Sequence, residues 1–231
     1  MASSLLFTFA ALSTAMASET ATLRWAEGAP GSTFSADDDG KYRYGLWTDD
    51  FGVVIAIDSQ ELEKSRRRLD PVFAVLITVR YRGKESLAVE PDKMTLEFVS
   101  HYHDMHGALD PDALAAQFQQ DSDAATGQAE REMRKHPEKK YALEAAVRAR
   151  QQDLSGMIEF LKTRSLRSVT LIPEKPEITG WIFFSAKSKW IGDWRKQEEF
   201  VLRMPIKGRG IEFPFALPPS RGDLLLRRRP R

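Results

Sequence analysis

The chain contains no cysteine in its 231 residues. This absence excludes disulfides, thiol catalysis, zinc–thiolate sites and a lipidated N-terminal cysteine, while leaving the redox compartment open. The formal net charge is only +1, so no overall field indicates nucleic acid or an acidic substrate as a partner. The sequence also has neither a Gly-x-Ser-x-Gly elbow nor a glycine-rich phosphate loop. We therefore favour a non-enzymatic function.

No apolar run reaches the roughly 20 residues that a membrane-spanning helix requires. The longest one near the start, Leu5–Leu12, is uncharged and is followed by Ala15-Met16-Ala17, the small-x-small pattern of a signal-peptide cleavage site. We expect cleavage after Ala17 and export to the periplasm or the cell exterior, with no transmembrane segment and no lipid anchor. A disordered or helical N-terminal tail is the alternative.

Period-two alternation of apolar residues predicts β-strands on both sides of a central segment. It is clearest in Phe73–Val99, and it recurs in Tyr42–Ile57 and Val169–Phe215. We expect these three stretches to form one antiparallel sandwich. The sequence therefore predicts a mainly β domain.

The central segment, Leu109–Ser165, is rich in Ala, Gln, Glu, Lys and Arg, which favour helix. Asp110 and Pro111 resemble an N-cap and a first helical residue, and Pro137 interrupts the pattern. These features predict a helical hairpin inserted into the β domain. Its charges nearly balance and its apolar stripe is thin, so either it is a solvated structural element or one face covers the sheet or a partner.

The aromatic-rich run Trp181–Phe184 predicts a central strand that is covered on both faces. Because the hairpin is the one large amphipathic element available, we expect Leu154, Ile158 and Leu161 to pack over this strand and to cover Ile182 and Phe184.

Two blocks flanking the hairpin resemble a known family. The first is the turn near Gly83 followed by Leu87-x-Val89-x-Pro91 and Met94-x-Leu96, and the second is Pro176–Phe184 followed by Phe200-Val201-Leu202. This order of signals is similar to the bacterial extracellular immunoglobulin-like domains found in lipoproteins and secreted proteins. The resemblance implies an immunoglobulin-like β-sandwich and export, and it brings no active site. The chain departs from the family in its long insertion and in lacking a lipid-attachment cysteine.

The predicted organisation has six parts. They are a signal peptide (1–17), a weakly ordered segment (18–39), the first part of the sandwich (40–107), the helical hairpin (108–165), the second part of the sandwich (166–217) and a basic tail (218–231).

Three of the four histidines lie in His101-Tyr102-His103-Asp104-Met105-His106. If the preceding strand continued, His101 and His103 would share one face, the geometry that two imidazoles need to bind one metal. Asp104 or His106 would complete the set, and zinc is the metal we would expect. The alternative is a strand end whose histidines have a structural role.

A second candidate site is the loop that carries Trp190 and Trp194 among cations, with Lys189 and Arg195 beside them. If the loop is exposed, it is a binding tip, because Trp and Arg anchor interfaces. If it is not, both rings fold over the open end of the sandwich.

Two functions follow from these patterns. The first is an exported interaction module that binds a protein partner, and not nucleic acid, through the hairpin or the Trp190–Trp194 loop. The second is a metal-binding protein or metalloenzyme centred on His101, His103 and His106.

Overall fold

The computed structural model describes residues 22–38, 40–66, 71–192 and 194–219. The expected signal peptide and residues 220–231 of the basic tail lie outside this range. Within it no helix has the length and apolarity needed to cross a bilayer.

The described residues contain twelve strands and three α-helices. The strands are β1 (Leu23–Arg24), β2 (Ser32–Ala36), β3 (Lys41–Trp47), β4 (Phe51–Asp58), β5 (Val72–Tyr81), β6 (Leu87–Val89), β7 (Thr95–Phe98), β8 (Asp104–Gly107), β9 (Val169–Leu171), β10 (Glu177–Ser185), β11 (Glu198–Ile206) and β12 (Arg209–Leu217). The helices are α1 (Ser59–Arg66), α2 (Pro111–Lys135) and α3 (Lys140–Arg164).

Two five-stranded sheets face each other across one core. The first has the order β10-β5-β4-β3-β2 and the second β1-β12-β11-β7-β8, with β6 and β9 forming a separate pair. The ring of Phe73 on β5 lies 5.0 Å from that of Phe200 on β11, centroid to centroid, which joins the sheets. The prediction of a mainly β domain with a helical insertion is confirmed. The antiparallel expectation fails at one edge, where β1 pairs with β12 in parallel.

The segment predicted to be weakly ordered contributes a strand to each sheet. β1 lies beside β12 and β2 lies beside β3, and the ring of Trp25 packs edge-on against Tyr44 with centroids 5.1 Å apart. These strands were not predicted because they are short, with two residues in β1 and five in β2, and the order of β1 comes from pairing with the distant strand β12.

The predicted hairpin is confirmed. The carboxylate of Asp110 accepts hydrogen bonds from the backbone N–H groups of Asp112 and Ala113, which caps α2, and Pro111 is its first residue. The helices meet at Pro137–Lys139, a 3-10 turn at the predicted break.

The hairpin packs on the outer face of the first sheet, but on the opposite side chains of β10 from those expected. Trp181 and Phe183 lie under the hairpin, whereas Ile182 and Phe184 face the core between the sheets. Alternation shows which residues share a face, but the pairing of Phe184 with Phe73 decides which face is inward.

Candidate functional site

The histidine cluster lies at a reversal of the chain and not on a continuous strand. After β7 the chain forms a 3-10 turn, Val99–His101, and then reverses into β8, which pairs antiparallel with β7. Tyr102 and His103 make the reversal with φ angles of 62° and 57°, in the left-handed region that non-glycine residues seldom adopt. His101 and His103 therefore lack the shared strand face on which the metal hypothesis was based.

Each of the three imidazoles has its own carboxylate. The distances are 3.2 Å from His101 Nε2 to Glu198 Oε2, 2.5 Å from His103 Nδ1 to Glu97 Oε1, and 3.5 Å from His106 Nε2 to Asp104 Oδ2. Among the described residues no three His, Asp or Glu side chains are arranged to hold a metal ion. The zinc hypothesis for His101, His103, Asp104 and His106 gains no support from this geometry.

Trp190 organises this end of the sandwich. Its ring is 5% exposed and stacks on His101 with centroids 5.0 Å apart and planes 16° apart. Phe98 and His106 contact other parts of the ring, and Lys187 Nζ lies 4.1 Å from its centroid.

The side chains of the predicted binding loop therefore differ in burial. Trp190 is buried and Trp194 packs against the same core, while Lys189 and Arg195 are exposed. The indoles fold over the open end of the sandwich, which is the structural alternative given above. Neither indole forms an exposed hot spot of the kind that anchors an interface.

Sequence reasoning missed a row of alternating charges across the outer face of the second sheet. Arg203 contacts Glu97 on one side and Glu212 on the other, and Arg24 Nη1 donates to Glu212 Oε2 at 2.6 Å. Glu97 is 7% exposed. Burial raises the pKa of Glu97, but its hydrogen bonds with His103 and Arg203 outweigh burial, so the pKa is lowered from its usual 4.5.

This lowered pKa predicts an acid-sensitive contribution to stability. A carboxylate whose pKa is depressed on folding stabilises the protein above its unfolded pKa, near 4.5, and loses that contribution as the pH falls through the folded value. Glu97→Gln should therefore be less stable than the unmodified protein at neutral pH, and the two should converge below pH 4.5. Urea denaturation of both proteins across this range checks it, and a pH-independent difference would contradict it.

The distal arm, defined here as residues 128–150, extends beyond the part of the hairpin that contacts the sheet. In the described residues, the apolar cluster joining hairpin and sheet includes no hairpin residue between Phe118 and Met157. Each helix has 25 residues, about 37 Å at 1.5 Å per residue, and only its basal turns join the cluster. Tyr141, near the end of the arm, is 83% exposed.

Charge is distributed unevenly along the hairpin. The distal arm has seven basic and four acidic residues, whereas the rest of the segment 109–165 has two basic and six acidic ones. The near balance of the whole segment therefore conceals a basic distal arm and an acidic base. The uneven charge becomes visible once the residues that contact the sheet are known, because the charged residues can then be grouped by their distance from it.

The chain matches no family model and no curated protein sequence. It is similar to a solved structure from Bacillus subtilis, described as that of a candidate lipoprotein, YcdA. The identity is 12% and the TM-score 0.32, with 81% of this chain and 38% of that chain covered. At that TM-score the similarity carries no argument about fold or function.

Proposed function

We propose that this protein is a non-enzymatic binding module whose distal arm contacts an acidic surface of a protein partner. The observation that carries the proposal is the arm itself: residues 128–150 lie outside the cluster that fixes the hairpin to the sheet. The rival site loses support because Trp190 and Trp194 fold inward.

The composition of the arm favours a charged partner over an apolar one. Its exposed basic side chains include Arg134, Lys139 and Arg148. Among the described residues of the arm, Tyr141 is the one large apolar residue that is exposed. Complementary charge steers association and selects partners. A rim of cations around a single exposed aromatic residue fits an acidic protein surface. A site for single-stranded nucleic acid would need further aromatic residues to stack bases.

Charge reversal on the arm tests the proposal. A photo-crosslinking residue in place of Tyr141 should form a covalent adduct with the partner in the source cells. Adding Arg134→Glu, Lys139→Glu and Arg148→Glu should reduce the adduct about tenfold, because the arm would then repel an acidic surface.

The matched control reverses three exposed cations on the β domain: Lys84, Lys175 and Arg209. This variant should form the adduct as the unmodified protein does. An adduct that survives the arm reversal, or one removed by nuclease, would overturn the proposal. Loss on Lys189→Glu with Arg195→Glu instead would assign binding to the Trp190–Trp194 loop.

We further propose an immunoglobulin-like arrangement of the sandwich. The pairing of β5 with β10 in one sheet, and of β7, β11 and β12 in the other, matches the B–E and C–F–G strands of that fold. With this assignment, the hairpin forms part of the connection that leads to strand E. An experimental structure in which β5 and β10 do not pair would contradict this assignment.

Export is also a proposal, and it rests on the N-terminal pattern alone. N-terminal sequencing of the protein recovered outside the cytoplasm should begin at Ser18. Recovery of an exported protein that begins at Met1 would contradict cleavage after Ala17.

A further inference from the structure

The base of the hairpin forms a partly open, mainly apolar cavity of about 180 Å³. Three elements form its walls: α1, the outer face of the first sheet, and the basal turns of α2 and α3. Leu114 and Leu161 line it from the helices, and Phe183 lines it from β10. All three are less than 6% exposed, so these side chains belong to the packed interior.

Aromatic side chains of α3 and β10 meet at angles at the cavity. The ring centroids of Phe160 and Trp181 are 6.0 Å apart with planes 51° apart, and those of Phe160 and Phe183 are 6.4 Å apart with planes 71° apart. All three rings line the cavity, and aromatic rings pack favourably in tilted and edge-to-face arrangements.

The side chains of Ser65 and Glu61 at the cavity are already engaged. The Ser65 hydroxyl donates to the carbonyl oxygen of Val72 at 2.7 Å and accepts the Val72 N–H at 3.0 Å. Glu61, the one charged residue of the lining in the described part of the chain, accepts a hydrogen bond from Lys64 at 2.6 Å. A bound water needs two to four polar partners, so this mainly apolar lining favours an apolar occupant.

We propose that this cavity binds a small uncharged aromatic molecule of about one ring. An apolar cavity of about 150 Å³ accepts benzene, so the volume suits a ligand of that size. The ligand would contact helix α1, the sheet and the hairpin together and would stabilise their packing. The inference is independent of the function proposed for the distal arm.

Toluene is the probe for the full-length protein. At near-saturating toluene the melting temperature should rise by about 2–5 °C, since a ligand that binds only the folded state stabilises it. Benzoate, of similar shape but charged, should give no rise because its carboxylate would lose hydration without a partner. An equal rise with benzoate would overturn the ligand class.

A filled cavity gives the decisive comparison. Ala74 lines the cavity on β5, so Ala74→Ile should abolish the rise with toluene. Ala56→Ile makes the same change on β4, at a half-buried position outside the lining, and should retain it. No rise in the unmodified protein, or an equal rise in Ala74→Ile, would overturn the proposal.

Methyl NMR of the unmodified protein keeps the test independent of how the variants fold. Toluene should shift the methyl resonances of Leu114 and Leu161 and leave those of Leu96 and Leu202, in the core between the sheets, unchanged. Shifts confined to Leu96 and Leu202 would place the ligand in the core between the sheets and contradict the site. The absence of any shift would contradict binding.

Discussion

Replacing Leu161 with alanine is expected to lower the free energy of unfolding by about 2–5 kcal/mol, the range for emptying a buried leucine site. Leu161 is 1% exposed in the last turns of α3 and packs with Leu114, Val72 and Phe183. It is thus the residue through which α3 is most completely fixed to the sheet. Chemical denaturation of the full-length protein measures the change.

Leu154→Ala provides the matched control, since it makes the same chemical change two turns earlier in α3. Leu154 is half-exposed and is not part of the cluster on the sheet, so its replacement should cost less than about 1 kcal/mol. Equal costs at the two positions would mean that the hairpin is not fixed specifically at its base.

Phe73→Ala is the second large effect, with an expected loss of about 3–5 kcal/mol. Phe73 is fully buried on β5, and its ring meets three rings of the opposite sheet: Phe98, Phe200 and Phe215, at centroid distances of 6.0, 5.0 and 6.2 Å. Removing it takes away the aromatic contact that joins the two sheets near the middle of the core.

The comparison for Phe73→Ala is Phe34→Ala on the edge strand β2. Phe34 is half-buried and its ring lies 4.8 Å from that of Tyr44 in the same sheet. Its loss should cost less than half as much, because it leaves the contact between sheets intact. A larger effect at Phe34 than at Phe73 would contradict the described core.

The hairpin was predictable from sequence because its signals are local. Asp110 starts α2 by capping it with its carboxylate and Pro111 by its fixed φ, and Pro137 interrupts the pattern wherever the hairpin lies. Helix-favouring composition over about 50 residues needs no knowledge of the rest of the fold.

The histidine cluster was harder to predict because its geometry depends on a turn. The left-handed backbone of Tyr102 and His103 reverses the chain, and two consecutive residues of this kind are uncommon outside glycine. The hypothesis that His101 and His103 share a face assumed that the strand continues through them. In the structure the strand ends at Phe98.

Contacts between strands distant in sequence were not predictable either. Glu97 and Arg203 meet because β7 and β11 are neighbours in one register, which period-two alternation does not specify. The same limit explains Ile182 and Phe184, since alternation leaves open which face of β10 the hairpin covers.

Hydrogen exchange along the hairpin of the full-length protein tests the central claim most directly, namely that the hairpin is fixed at its base and free in its distal arm. Amides in 114–118 and 157–164 should approach the protection of β5, and those in 128–150 should exchange at least about a hundredfold faster, because few buried contacts oppose local opening there. Uniform protection along both helices would contradict the claim, since it would require the arm to be held along its whole length.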